Sequence, residues 1–289
     1  MVAFKGPVIA SRAYPHISDR ASVDLDILIR PSDLARAADL LSRSGYIVRR
    51  EVEELLGLVN RPNEYHASFV RTNGTVVELH WAFSAICERT MLDLEGMLRR
   101  AQAVPVLDAP VMSLTVEDTL LHLCVHGFRH RWSLLKWLVD VAFLLSGTEQ
   151  IDWTALEREA RKVGCYRILT LGLGLTHDIL GVPLPEPILR NIRNDRIVRK
   201  LMAFHRRVIL ENRRLTHLEN MQCEINAQEG LREHVKASWA VLSRIFRLTD
   251  EDLPQGASTW MKTKAIFRRP GRLYRKFGWK WLWDVFEVR

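Results

Sequence analysis

The sequence lacks any uncharged apolar run of about 18 residues, the length that a transmembrane helix requires. Its first residues also lack the basic segment and the longer apolar segment of a secretory signal peptide. We therefore expect a cytoplasmic protein. No internal repeat and no low-complexity stretch is present, and a hydrophobic share of 47% over 289 residues excludes a disordered chain.

Cysteine is scarce and unpaired in sequence. The four cysteines are far apart and form no Cys-x-x-Cys motif, so the spacing of a structural zinc site is absent. Two of them lie in apolar, helix-like surroundings. The interpretation is that they are reduced thiols of the core. They are Cys87, Cys124, Cys165 and Cys223.

Acidic residues are nearly absent from the last part of the chain. Residues 254–289 contain nine Lys or Arg and two acids, whereas the preceding 253 residues together carry only about +1 of the net charge of +8. The high pI therefore does not by itself indicate nucleic-acid binding. In this tail tryptophans such as Trp279 and Trp281 alternate with cations, which favours an anionic membrane surface at the inner membrane face. The alternatives are a nucleic acid, and aromatic packing against the rest of the protein.

Strand-like and helix-like patterns divide the chain unevenly. Short β-rich runs dominate the first hundred residues, whereas apolar residues recur at helical spacing from Thr115 onward. The sequence therefore predicts an α+β fold, in which a mixed sheet with helices precedes a C-terminal helical domain. The predicted parts are an α+β domain over 1–112, a helical domain over 113–253 and a basic aromatic tail over 254–289.

The individual elements follow from periodicity and turn signals. Asn73-Gly74 lies between two β-rich runs and predicts a hairpin. Thr115 with Asp118 predicts a capped helix start. The predicted strands are 23–29, 46–52, 65–71 and 75–81, and the predicted helices are 6–14, 32–44, 115–130, 132–146, 153–163, 166–180, 186–222 and 227–248.

A pair of carboxylates lies within the first of these strands. Asp24 and Asp26 are two residues apart, so they share one face of the strand while Leu25 and Ile27 enter the core. Such a pair can share hard divalent cations, for which oxygen is the preferred ligand. Glu78, on a later strand, is the candidate third carboxylate of a two-metal site.

The spacing alone is weak evidence, because Asp250 and Asp252 repeat it in a segment that ends before Pro254. Only the apolar β context distinguishes the first pair, since buried acids require cations or hydrogen bonds. From the residues alone, a metal site and a structural edge strand both stay open.

An ordered series of motifs resembles a bacterial family of nucleotidyltransferase proteins of the DNA polymerase β superfamily. The members of that family look like "LKG … R … DxDLLV … GY … hElHW". The likeness continues through the histidine-rich segment from Leu121 to Asp140. The matching residues are Phe4-Lys5-Gly6, Arg20, Asp24 to Ile29, Gly45-Tyr46 and Glu78-Leu79-His80-Trp81.

This resemblance implies roles for individual residues. Asp24, Asp26 and Glu78 would be the catalytic, metal-binding triad for two Mg²⁺ ions. Lys5 and Gly6 would hold a nucleoside triphosphate such as ATP, and Arg20 would be a charge partner for phosphate or for the carboxylates. Family members usually carry a helical segment before the Lys-Gly turn, and only a few residues precede it here.

Three histidines recur at intervals of four. His122, His126 and His130 therefore lie on one helix face, and Lys136 with Asp140 forms an i, i+4 pair on the next helix. A zinc hydrolase site is disfavoured because the glutamate of a His-Glu-x-x-His motif is missing. The alternatives are histidines hydrogen-bonded between packed helices, or contacts of His126, His130 and Lys136 to a nucleotide. The family likeness favours the nucleotide contact.

The leading hypothesis is a magnesium-dependent enzyme that moves a nucleoside monophosphate group from a nucleoside triphosphate to an unidentified hydroxyl or phosphate acceptor. The alternative is a catalytically silent module that keeps the fold and binds a nucleotide or a partner. A third hypothesis is a metallohydrolase that uses His122 and His126.

Overall fold

The computed structural model describes residues 1–48, 52–59, 64–83, 92–147, 150–230 and 235. Cys87, most of the predicted helix over 227–248, the second Asp-x-Asp and the tail over 254–289 lie outside the described residues. The strands of the described part are β1 (Val2–Ala3), β2 (Asp24–Leu28), β3 (Tyr46–Val48), β4 (His66–Arg71), β5 (Val76–His80), β6 (Gln102–Val106) and β7 (Ala109–Ser113).

These seven described strands form one mixed sheet in the order β3-β4-β5-β2-β1-β7-β6. β2 is parallel to β5 and β1 is parallel to β7, whereas the other neighbours are antiparallel. In the β2–β5 pair, Asp26 lies opposite Glu78 and Leu28 lies opposite His80. Because β2 and β5 are interior strands, this register brings acidic residues to the middle of the sheet.

Helices connect the strands and follow them along the chain, which confirms the predicted α+β class. Thr115 accepts a hydrogen bond from the Asp118 N–H and so caps its helix as predicted. The helices are α1 (Pro7–Ala13), α2 (Leu34–Arg43), α3 (Val52–Leu58), α4 (Leu94–Arg100), α5 (Val116–Arg129), α6 (Lys136–Ser146), α7 (Trp153–Lys162), α8 (Tyr166–Leu180), α9 (Glu186–Asn194), α10 (Arg196–Leu210) and α11 (His217–Ala227).

An apolar core lies between the sheet and α2 and α3. Phe69, Leu79 and Trp81 of the sheet segment are buried there together with Leu34 of α2 and Leu55 of α3. Leu25 and Ile27 of β2 pack against the same cluster. Since side chains alternate along a strand, Asp24 and Asp26 project from the opposite face of β2.

Two of the helices after the sheet, α5 and α8, pack against a buried tryptophan. Trp132 is fully buried, and a Cβ added at Gly127 of α5 would lie only 2.2 Å from its ring. A Cβ at Gly172 of α8 would lie 3.1 Å from the same ring. Trp132 has a left-handed backbone with φ of 51°, so the predicted helix over 132–146 begins only at Lys136.

The chain divides into two compact units, Met1–Asn194 and Asp195–Arg289. The predicted single helix over 186–222 is wrong, because α9 ends at Asn194 and new helices begin at Arg196 and His217. The Asp195 side chain accepts hydrogen bonds from two N–H groups of α10 and so starts a separate helix.

Sheet residues give way to helices after Ser113, while the predicted domain limits at 112 and 253 stay predictions. The thiols of Cys124, Cys165 and Cys223 are buried, as expected of core cysteines. Within the described segments, no helix is both long enough and apolar enough to cross a membrane.

Candidate functional site

Two carboxylates and an imidazole meet on the face of β2 and β5 away from the apolar core. The Nε2 atom of His80 lies 2.9 Å from Asp26 Oδ1 and 3.2 Å from Glu78 Oε2. Asp26 is only 2% exposed and His80 is buried, while Glu78 is partly accessible. One ligand atom from each residue lies within 4.8 Å of the others, which is close enough for one metal ion.

Lys5 contributes a positive charge to this group. It follows β1, and its Nζ lies 2.6 Å from Asp26 Oδ1. Burial opposes ionisation of Asp26, but the hydrogen bond from His80 and the ammonium of Lys5 outweigh it and hold the pKa of Asp26 well below its usual range. Asp26 is therefore ionised, and its two partners are the Lys5 ammonium and the His80 ring.

Gly6 makes the turn that places Lys5. Its φ of 61° is left-handed, and a Cβ there would lie 3.0 Å from the Asp24 carbonyl oxygen. A glycine is required because an L side chain would be both strained and crowded. The next residue, Pro7, begins α1 at a position where a missing N–H costs nothing.

Asp24 and Glu78 differ in their surroundings. Burial and the nearby Asp26 carboxylate raise the pKa of Asp24, with Lys5 opposing them. The hydrogen bond from His80 lowers the pKa of Glu78. Ser68 of β4 donates to Glu78 Oε1 at 3.1 Å and fixes that carboxylate from its other side.

Arg20 was predicted to pair with phosphate or with the carboxylates of this site. In the structure it lies beside the site and pairs with a different acid, Asp140. Its Nε and Nη2 donate to Asp140 at 2.7 and 2.9 Å, and Tyr14 donates its hydroxyl to Asp140 at 2.6 Å. Asp140 therefore binds Arg20 rather than serving as the i, i+4 partner of Lys136. Arg20 also donates to the Gly6 carbonyl at 3.3 Å, so it supports the Gly6 turn.

The three histidines of α5 and its C-cap form a continuous row of tilted rings, here called the histidine stack, as their spacing predicts. The ring centroids of His122 and His126 are 5.8 Å apart, and those of His126 and His130 are 4.5 Å apart. Phe4 packs its edge against both His122 and His80, at 5.0 and 5.1 Å. The stack thus begins next to the carboxylate site.

Burial lowers the pKa of each of these three histidines, which favours the neutral ring. Burial and the charge of Lys5 lower the pKa of His126 to about 3. Neither ring nitrogen of the buried His122 has a hydrogen-bond partner among the described residues. The hydrogen-bonded alternative does not apply to His122. Among the described residues, the group that could hold a metal is Asp26, Glu78 and His80, and it contains none of the three stacked histidines.

Lys136 is exposed at the start of α6, and the neighbouring Trp137 packs against His126 and His130 at 5.6 and 5.1 Å. Among the described residues, no contact joins Lys136 to the carboxylates. Arg129, at the end of α5, was not among the predicted site residues. Its guanidinium lies 4.8 Å over the ring of Tyr65 and donates to the Tyr65 hydroxyl at 3.0 Å.

Sequence reasoning assigned no role to His80 or Ser68. His80 alternates with Glu78 on one strand, which is a signal for a shared face. The position of Ser68 depends on the hairpin register, which the sequence specifies less well.

Comparison with known proteins adds one finding. A family model described as an uncharacterised nucleotidyltransferase matches residues 1–181. That range includes the whole sheet, the carboxylates and the histidine stack. A comparison with curated proteins found no match.

Proposed function

Because the chain belongs to this nucleotidyltransferase family over residues 1–181, we propose that it transfers a nucleoside monophosphate group from a nucleoside triphosphate to a hydroxyl or phosphate acceptor. The observation that carries this proposal is the register of β2 and β5, which places Asp26 directly opposite Glu78. Asp24 lies on the same face of β2, and the Lys5-Gly6 turn lies beside it.

The donor set fits hard divalent cations. Carboxylate oxygens are the ligands that Mg²⁺ prefers, and a buried acid such as Asp26 requires compensation by positive charge. Lys5 supplies that charge in the structure, at 2.6 Å. We propose that Asp24, Asp26 and Glu78 hold two Mg²⁺ ions. When bound, the ions would neutralise the triphosphate and the charge that develops during transfer.

Lys5 and Gly6 are the proposed triphosphate contacts. The Lys5 ammonium can exchange the Asp26 oxygen for a phosphate oxygen, because its side chain is flexible and 17% exposed. Gly6 lets the backbone approach a phosphate closely, because no Cβ is in the way. Arg20 is a positioning residue in this scheme, since its hydrogen bonds reach Asp140 and the Gly6 carbonyl.

The reaction forms a bond between the acceptor oxygen and the α-phosphorus, and breaks the bond between the α-phosphorus and the oxygen that leaves with pyrophosphate. The acceptor hydroxyl loses its proton in this step. Solvent takes up that proton, and Glu78 is proposed to orient the attacking hydroxyl.

Isothermal titration of the full chain with several triphosphates, with and without Mg²⁺, tests the binding step. Transfer of α-labelled phosphate to protein, RNA or small molecules of a lysate tests the reaction. We expect magnesium-dependent binding that is lost in the double variant Asp24→Asn/Asp26→Asn. The second Asp-x-Asp provides the matched control, and Asp250→Asn/Asp252→Asn should bind as the wild type does.

The opposite outcome identifies the silent module. Triphosphate binding that needs no Mg²⁺ and survives Asp24→Asn/Asp26→Asn would contradict the enzyme. The ion pair between Lys5 and Asp26 is the observation that favours this second candidate, since it satisfies the carboxylate without a metal.

The basic aromatic tail carries a separate proposal. With nine cations against two acids, residues 254–289 suit an anionic membrane surface. Sedimentation of the full chain with anionic vesicles, but not with neutral ones, is the expected result. Failure to sediment with anionic vesicles would contradict peripheral attachment.

A further inference from the structure

We propose that His80 is a nitrogen ligand of the ion held by Asp26 and Glu78, and that this position consequently selects Mn²⁺ over Mg²⁺. The inference deepens the proposed function and rests on the metal centre proposed there. It differs from a site made of carboxylates alone, because an imidazole nitrogen binds transition metals such as Mn²⁺ better than it binds Mg²⁺.

His80 Nε2 is spaced from the two carboxylates as neighbouring ligands of one ion are. Adjacent ligands of an octahedral ion with bonds of about 2.1 Å lie about 3.0 Å from each other. His80 Nε2 lies 2.9 Å from Asp26 Oδ1 and 3.2 Å from Glu78 Oε2. The imidazole nitrogen is therefore already at the distance of a neighbouring ligand from both carboxylates.

The His80 ring is held in place by its neighbours. Phe4 meets it edge-on at 5.1 Å, and His66 stacks on it at 5.1 Å with 16° between the planes. His80 is 6% exposed, so the ring has little room to swing towards solvent. A ligand that is fixed before the ion arrives loses little entropy on binding.

The two oxygens of Glu78 have different partners. Ser68 donates to Oε1 at 3.1 Å, whereas Oε2 faces His80. This division leaves Oε2 for an ion and fixes the plane of the carboxylate. Hydrogen bonds of this kind orient the ligands of metal sites.

His80 can present either a proton or a lone pair at Nε2. Without an ion, His80 Nε2 donates to the carboxylates, which only accept. With the ion, the ring proton is carried by Nδ1 and the Nε2 lone pair faces the metal.

The alternative is that His80 only orients the two carboxylates and never touches the ion. The two roles differ in a spectroscopic signature. When an imidazole nitrogen binds Mn²⁺ directly, the Mn²⁺ spectrum shows a hyperfine coupling to that nitrogen. A histidine that only hydrogen-bonds to a carboxylate ligand does not produce this coupling.

The test is pulsed electron paramagnetic resonance of the full chain with Mn²⁺ alone, followed by displacement with Mg²⁺. We expect nitrogen coupling in the wild type and a preference for Mn²⁺ of about tenfold or more. In His80→Gln, whose amide can still donate to the carboxylates, the coupling should vanish and the preference should fall. His66→Gln removes the ring that stacks on His80 but keeps His80 Nε2, so the nitrogen coupling should persist in this control even if the preference for Mn²⁺ falls.

Several results would overturn the assignment: Mn²⁺ bound by the wild type without nitrogen coupling, coupling that survives in His80→Gln, or coupling that disappears only in His66→Gln. The spectrum of the wild type alone shows whether His80 binds the ion directly. The proposal can therefore be rejected even if His80→Gln does not fold. Mn²⁺ bound without nitrogen, in a protein that still transfers label, rejects this inference and leaves the proposed function intact. A wild type that binds neither ion rejects the proposed metal centre itself.

Discussion

Arg20 binds Asp140 through two parallel hydrogen bonds, from Nε to Oδ1 at 2.7 Å and from Nη2 to Oδ2 at 2.9 Å. The two residues are 120 positions apart in the sequence. Since Arg20 also donates to the Gly6 carbonyl, the pair connects α6 with the turn that carries Lys5. Asp140 is 1% exposed and accepts a third hydrogen bond from Tyr14, so its charge is compensated inside the protein.

Asp140→Asn should therefore destabilise the protein strongly. The substitution keeps the size of the side chain but leaves the Arg20 guanidinium without its carboxylate. Breaking a buried pair from one side costs about 3–5 kcal/mol, and urea denaturation should show a loss of that order in the free energy of unfolding. The exposed pair of Asp39 and Arg43 supplies the control, because Asp39→Asn should cost no more than about 0.5 kcal/mol. Equal effects of the two substitutions would contradict a buried anchor.

Gly6→Ala tests the turn itself. With φ of 61° and ψ of −130°, Gly6 has a backbone that an L residue adopts only with strain, and the new Cβ would lie 3.0 Å from the Asp24 carbonyl oxygen. We expect a loss of about 1–3 kcal/mol in the free energy of unfolding. Triphosphate binding should weaken as well, because Lys5 precedes this turn.

Gly57→Ala is the matched control for that substitution. Gly57 is exposed near the end of α3, and a Cβ there meets nothing within 4 Å. Replacement by alanine in a helix should stabilise the protein by about 0.5–1 kcal/mol. If both variants lost stability, the conformation of Gly6 would not be the cause.

Local rules predicted the strand of the carboxylates and missed the register of its neighbours. Asn73-Gly74 marks the hairpin, but a two-residue turn centred on it would pair Glu78 with Phe69. In the structure Arg71 hydrogen-bonds to Thr75 around a three-residue loop, Gly74 has φ of 86°, and Glu78 faces Ser68. The one-residue shift decides which side chain orients Glu78, and the dipeptide alone does not specify it.

The hairpin of β6 and β7 was missed for a different reason. Pro105 lies opposite Pro110, and prolines within a run argue against a strand. Pro105 is tolerated because β6 is at the edge of the sheet, and Pro110 is tolerated because β1 pairs with β7 only at Ser113. The tight turn is made by Leu107 with a left-handed φ of 53°, where a glycine or an asparagine would have been the visible signal.

The shared face of Asp24 and Asp26 follows from strand periodicity, but the pairing of β2 with β5 does not. Nearly fifty residues separate these parallel strands, and no local pattern specifies that Asp26 faces Glu78. The same applies to Arg20 and Asp140, whose contact depends on how α6 packs on α1. Such contacts arise from tertiary packing, which overrides local spacing rules such as the i, i+4 pair of Lys136 and Asp140.

Gly127→Ala tests the packing around Trp132. The added methyl would lie 2.2 Å from Trp132 Cζ3, and the ring is fully buried between α5 and α8. The ring cannot move away into solvent, so overpacking should cost about 1–3 kcal/mol or more in the free energy of unfolding. Thermal unfolding followed by tryptophan fluorescence measures this loss, and an unchanged melting temperature would contradict the tight fit.

The histidine stack predicts how stability changes with pH. His126 has a folded-state pKa of about 3, lowered from 6.5, because burial and then Lys5, His130 and Arg129 disfavour its charged form more than Asp26 favours it. Between these two values the unfolded chain binds more protons than the folded protein. The free energy of unfolding therefore falls as the pH drops below 6.5, with a slope of up to about 1.4 kcal/mol per pH unit from this residue. Above 6.5 the contribution is complete and constant.

Denaturation by urea at a series of pH values between 4 and 8 (about one unit apart) measures that slope. In His126→Phe, which keeps a ring against His130 and Trp137 but does not titrate, the slope below pH 6.5 should be smaller by close to one proton. His16→Asn, at an exposed position, should keep the wild-type slope. Acidic groups such as Asp26 act in the same direction in all three proteins, so the difference between the curves isolates His126. An identical slope in His126→Phe would show that the ring is already solvated and charged in the folded protein.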